Sequence, residues 1–175
     1  MASIYNDLDY DVFMLDYRGY GKSEGTINSE KQLFEDIQTG YDSLKTRYDE
    51  SKIIVLGYSI GTGMATKTAS SNNPKGLILQ APFYSLTDLA KHICPIIPTF
   101  ILKYKFQTYK YIQHCSMPIV IFHGTADEII YYNSSVNLKE LIKSTDKLIT
   151  LDGAGHNGIT SDTQYLYELK KILMK

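Results

Sequence analysis

An α/β fold built on a mostly parallel sheet is what this sequence predicts, and two patterns predict it. The first is a set of apolar runs rich in valine and isoleucine: YDVFMLDY (10–17), KIIVLGY (52–58), GLILQAP (76–82) and PIVIFHG (118–124), with a weaker fifth, KLITLDG (147–153). None alternates cleanly between apolar and polar positions, which marks strands buried on both faces. The second is the helical spacing of the segments between them. Strands alternating with helices imply a parallel sheet of about five strands, right-handed crossovers and helices on both faces.

The elements follow in order. SEKQLFEDIQTGYDSLKTRY (29–48) opens with Ser29 as the expected N-cap and sets Leu33, Ile37, Tyr41 and Leu44 on one helical face. GTGMATKTAS follows the second run, NSSVNLKELIKS follows the fourth, and TSDTQYLYELKKILMK closes the chain as an amphipathic helix. Residues 83–117 hold two prolines, several aromatics and no clear period. A long connection leaving the carboxyl end of a strand is the place for a lid or pocket cover. Within it, Ser85 and Asp88 have the spacing of a helix-capping pair. The run 10–17 must pair with something. For the isolated chain, direct pairing with 52–58 is expected, because each buried unpaired backbone group costs about 1–3 kcal/mol. The other outcome is a slot that a second chain must fill.

Composition narrows the function. A length of 175 residues fits a single domain, 1–175, and no repeat or linker divides it. The net charge is −1 and the charges are mixed along the chain, so nothing suggests a nucleic-acid partner. Cys94 and Cys115 lack metal or redox spacing, and the N-terminus MASIYNDLDY lacks the pattern of a secretory signal. Reduced cysteines in an intracellular, cytoplasmic protein are expected. The longest apolar stretch, ICPIIPTFIL, is too short to span a bilayer.

The chemistry centres on GYSIG, residues 57–61. A strand turning sharply into a helix strains the residue at the bend, and side chains two positions to either side are expected to collide, hence Gly57 and Gly61. Ser59 would stand clear above the sheet as a nucleophile elbow, with the Ile60 N–H directed at a developing oxyanion. A hydroxyl needs a base to take its proton, and the base needs an acid to hold it. Asp127 follows the fourth run, and His156 sits in a glycine-rich loop after the fifth. The order serine, aspartate, histidine suits such a site. Glu128 is an alternative acid beside Asp127. The loop DYRGYGKSEG does not have phosphate-loop spacing and reads as a tight turn with Arg18 bonded to nearby backbone or carboxylates.

Five blocks, DVFMLDYRGYGKSEG, GYSIGTGMA, QAPFYSLTDLA, IFHGTADEII and GAGHN, resemble in the same order those of the α/β-hydrolase superfamily of serine hydrolases. The likeness is greatest to the small single-domain group of Bem46-like proteins and membrane-associated protein depalmitoylases, and it runs along nearly the whole chain. It implies Ser59 as nucleophile, Asp127 as acid, His156 as base and Ile60 as one oxyanion donor. It also implies a lipase-like esterase or thioesterase acting on small acyl esters or thioesters, with no cofactor and no metal. Membrane association is implied by this resemblance alone, and the oligomeric state stays open. His123 occupies a position that is structural in that group, and His92 and His114 are expected in the cover or on the surface. The group has three strands and a helix before DYRGYGKSEG. Its third strand lies between the fourth and fifth and leads to a loop donating the second oxyanion N–H. Relative to that pattern this fold is N-terminally truncated and lacks the loop. One missing oxyanion donor costs about 10²–10³ in rate. The alternative to an esterase is therefore a weak or inactive pseudo-hydrolase serving as a binding scaffold.

Overall fold

The computed structural model describes residues 2–96 and 98–174. Met1, Ile97 (inside the expected cover segment) and Lys175 (at the end of the expected last helix) lie outside the described residues. A short helix α1 (Ala2–Asn6) is followed by an extended segment and then by α2 (Glu30–Lys45). Ser29 caps α2 by accepting from the Gln32 N–H, and the Gln32 side chain accepts in return from the Asn28 N–H. The first of these bonds uses a donor that the first helical turn leaves without a partner, and the second ties down the residue before the cap. Leu33 and Tyr41 are buried on its inner face.

The rest of the chain alternates strand and helix: β1 (Ile54–Tyr58), α3 (Gly61–Ser70), β2 (Gly76–Gln80), α4 (Leu86–Ile93), α5 (Thr108–Ile112), β3 (Ile119–Gly124), α6 (Asn133–Lys139), β4 (Lys147–Leu151) and α7 (Thr163–Leu173). The sheet is parallel, in the order β1-β2-β3-β4. Its apolar residues divide by the period-two geometry of a strand. Leu77, Leu79, Ile119 and Ile121 pack with α3, α5 and α6 on one face. Ile78, Val120 and Phe122 pack with Tyr165, Leu169 and Leu173 of α7 on the other. The register aligns Tyr58 with Gln80, Gln80 with Phe122 and Phe122 with Ile149. The loops after β1, β3 and β4 therefore open at the same end of the sheet.

The parallel α/β class is as expected, but the first apolar run is not a strand. Among the described residues the sheet has four strands, and 10–17 carries no ladder. The expected direct pairing with 52–58 does not occur. An apolar cleft of about 370 Å³ separates Phe13 and Leu15 from Ile53, Val55 and Ala65. A second cleft lies on the other face, between Val12 and Met14 on one side and Ile54 and Leu56 on the other. The cause is tethering at several points. The Tyr10 hydroxyl donates to the Leu173 carbonyl, and the Tyr48 hydroxyl donates to Asp11. Arg18 holds Asp36 of α2 through two bonds, at 2.9 and 2.6 Å. These contacts bind the segment to α7 and α2 rather than to β1, so β1 is an edge strand and stays half-exposed.

The segment expected as a cover is tied down by hydrogen bonds near both ends. The Leu86 N–H donates to the Lys105 carbonyl, and the Tyr109 N–H donates to the Tyr84 carbonyl. The Glu30 carboxylate accepts from the N–H groups of Lys105 and Phe106. Ser85 caps α4 through the Asp88 N–H, as its spacing predicts. No helix among the described residues is long and apolar enough to cross a membrane.

Candidate active site

The turn from β1 into α3 positions Ser59. Its φ is +52°, in the left-handed region that costs a side-chain-bearing residue energy. Gly57 is required there. A Cβ would meet the Ala65 Cβ and the Thr62 Cα, each at 2.7 Å. Gly61 is not required for the expected reason. Its Cβ would find only the Tyr17 hydroxyl, at an ordinary 3.6 Å. The collision across the bend falls on one glycine because α3 leaves the elbow leaning over Gly57, whereas Gly61 opens toward the cleft at Tyr17.

Three loops bring three side chains together. The His156 Nε2 lies 2.8 Å from the Ser59 Oγ, and the His156 Nδ1 lies 2.8 Å from the Asp127 Oδ2. A carboxylate only accepts, so Nδ1 carries the proton and donates to Asp127. Nε2 then accepts from the serine hydroxyl. Glu128, the alternative acid, is exposed, while Asp127 is buried against the imidazole. Ile60 follows the serine at the N-cap of α3, and its side chain is half-exposed.

Two residues around this relay carry more than the sequence reading assigned them. His123 was expected to be structural, and it is fully buried. Its Nε2 lies 2.9 Å from the Ile130 carbonyl and 3.2 Å from the Asp127 Oδ2. That nitrogen must therefore carry a proton, shared between the two acceptors. Its Nδ1 accepts from the Ser135 hydroxyl at 2.6 Å. The Asp127 Oδ1 accepts from the N–H groups of Ile129 and Ile130 at 2.9 and 2.8 Å. Burial by itself would raise the Asp127 carboxyl. The hydrogen bonds from His123, His156, Ile130 and Ile129 outweigh it and hold the group well below the usual carboxylate range. The second residue is Tyr58. Its ring stacks on His156, with centroids 5.3 Å apart, and its hydroxyl donates to the His156 carbonyl at 2.8 Å. No sequence signal marks Tyr58 beyond its place next to the serine. His123 is foreshadowed only by its position four residues before Asp127. His92 stacks on Tyr131 and His114 is exposed, so both lie outside the relay.

Beside the serine elbow lies an open cavity of about 720 Å³, lined among others by Tyr17, Ile27, Leu33, Ile60, Met64 and Phe106. Its walls are mainly apolar and aromatic, and Tyr104 and Phe106 of the segment between β2 and β3 line it.

Residues 1–113 match the model of the Hydrolase_4 family, described as serine aminopeptidase, S33. The chain belongs to the α/β-hydrolase superfamily. Among similar proteins is alpha/beta hydrolase domain-containing protein 17C of Mus musculus, 33% identical over 182 residues that cover 99% of this chain and 55% of that protein. The chain thus spans about half the length of the curated relatives it matches. Among solved structures, a predicted CIB-like hydrolase from Thermoplasma acidophilum aligns with a TM-score of 0.68 at 16% identity, covering 98% of this chain and 75% of that one. Est1E from Butyrivibrio proteoclasticus, solved with ferulic acid bound, aligns with a TM-score of 0.66 at 21% identity, covering 90% and 72%. At these identities the likeness is one of fold, and this α/β hydrolase shares that fold.

Proposed function

We propose that this α/β hydrolase is a serine hydrolase that cleaves carboxylic esters or thioesters through an acyl-enzyme on Ser59. The observation that carries the reading is the unbroken relay from Asp127 to His156 to Ser59, with both contacts at 2.8 Å. His156 takes the Ser59 proton as the oxygen attacks the acyl carbon. Asp127 holds the imidazole in the required tautomer and stabilises the imidazolium. The carbonyl oxygen becomes an oxyanion, toward which the sequence reading directs the Ile60 N–H. The protonated His156 then gives its proton to the leaving alcohol or thiol. Water, deprotonated by the same imidazole, attacks the acyl carbon and releases the acid. The apolar cavity beside Ile60 suits an aliphatic or aromatic acyl group.

A backbone donor to the developing oxyanion is worth about 10²–10³ in rate. Turnover of p-nitrophenyl butyrate and of a butyryl thioester by the wild-type chain and by Ser59→Ala tests the proposal. The wild type should release p-nitrophenol and thiol, and S59A should not. Equal rates from both would assign any hydrolysis to some other group and favour the scaffold reading.

A further inference from the structure

One residue on the wall of the cavity beside Ile60 is held in a backbone conformation that its side chain disfavours. Phe106 has a φ of +35°, on the left-handed side that bulky residues rarely adopt. Such a conformation persists only where its surroundings fix it, and it gathers at sites that grip a ligand. Here Glu30, the first residue of α2, does the fixing. Its carboxylate accepts from the Lys105 N–H and, at 2.6 Å, from the Phe106 N–H. The Phe106 carbonyl accepts from the Thr108 N–H at 2.9 Å. The Phe106 ring meets Phe34 edge-on, with centroids 5.9 Å apart, and stacks with Tyr104 at 5.8 Å. Tyr104 is itself tied down, because its hydroxyl donates to the Ile27 carbonyl. A Cβ on Gly63 would lie 3.2 Å from the Phe106 Cβ, so Phe106 sits close against α3.

Exposure divides the lining of this cavity. Leu33, Met64 and Phe106 are 3%, 3% and 4% exposed, whereas Ile60 and Tyr20 are 46% and 66% exposed. The first three come from α2, α3 and the segment between β2 and β3, and they pack in one apolar cluster. They form a closed floor, while Ile60, next to the nucleophile, stands at the mouth. We propose that Phe106, fixed by Glu30, is the end stop of this cavity and sets the length of acyl chain that the site accepts. Resting on the hydrolase reading, this end stop adds chain length to what the site selects. With the acyl carbon at Ser59, the chain runs past Ile60 and its far end meets the floor. Each methylene that fits gains burial. A methylene beyond the floor has to displace close-packed side chains, which yield little. Phe106 is the specificity-determining residue, and Glu30 is a positioning residue that acts through it.

Two assays test it together. In the first, kcat/KM is measured for p-nitrophenyl esters from butyrate to dodecanoate. In the second, the free carboxylates of the same lengths are titrated calorimetrically into chains that also carry Ser59→Ala, so binding is read without turnover. A ratio of two ligands on one preparation does not depend on the fraction that is folded. Phe106→Ala should raise the dodecanoate-to-butyrate ratio at least about tenfold in both assays, because a single methylene in an apolar pocket is worth about 10–200-fold. Met64→Phe adds bulk to the floor from α3 and should lower the ratio. Glu30→Ala should raise it to a smaller extent than Phe106→Ala, and Glu30→Gln, which keeps an acceptor, should give the wild-type ratio. Unchanged ratios in F106A and M64F would overturn the end stop, and a wild-type ratio in E30A would overturn the role of Glu30. Ester turnover with unchanged ratios would remove the end stop and leave the hydrolase reading standing. Shifted carboxylate ratios with no ester turnover would do the reverse.

Discussion

At the scale of single residues, the site is organised around one carboxylate with four donors. Asp127 accepts from His156, His123, Ile129 and Ile130. Asp127→Asn removes the acceptor that fixes the His156 tautomer, so kcat on a small ester should fall by about 10⁴, by analogy with other serine triads. A wild-type rate in steady-state kinetics would remove Asp127 from the relay. The same group makes stability depend on pH. Its folded value is depressed, so its contribution is fully present above the unfolded carboxylate value near about 4 and is lost as pH falls below it. Acid titration followed by circular dichroism should show a steeper loss of stability below about pH 4 in the wild type than in D127N. Tyr58 holds His156 from the other side, by stacking and by a hydrogen bond. Tyr58→Phe keeps the stack and should lower kcat only about two- to tenfold, the worth of one ordinary hydrogen bond. Tyr58→Leu loses both contacts and should cost more, with KM little changed. Equal kcat values for the two variants would show that the stack has no positioning role.

At the scale of elements, the strand-to-helix turn separates what was legible from what was not. The strand before Ser59, the helix after it and the chain order of Ser59, Asp127 and His156 were all readable, because each rests on local pattern. The requirement for Gly61 was misjudged, since the tilt of α3 over the elbow is a tertiary fact. Gly57→Ala should therefore destabilise by about 1–3 kcal/mol through overpacking against Thr62 and Ala65. Gly61→Ala should be neutral or slightly stabilising, by up to about 1 kcal/mol. Thermal melts of the two variants check this, and equal destabilisation would restore the symmetrical reading of the motif. The His123 contact to Asp127 was illegible for a similar reason. It depends on β3 ending so that a residue of the strand folds back on its own loop, which spacing alone does not reveal.

At the scale of the whole molecule, the run YDVFMLDY shows the limit of reading strands from composition. Its apolar content is that of a buried strand, but a strand also needs a partner at hydrogen-bonding distance. Its anchors to α2 and α7 hold it across a cleft from β1. Hydrogen exchange should show the amides of 10–17 exchanging at least about a hundredfold faster than those of β2 and β3. Matching protection would mean that the cleft closes in solution. The site itself is assembled by the loops that follow β1, β3 and β4, at the carboxyl ends of those strands. The most direct test of that assembly is reaction of the folded chain with a fluorophosphonate, read by intact mass and peptide mapping. The account predicts a single adduct on Ser59, absent from Ser59→Ala and strongly diminished in a folded His156→Ala. No adduct on the folded wild-type chain, or one that persists in S59A, would contradict it.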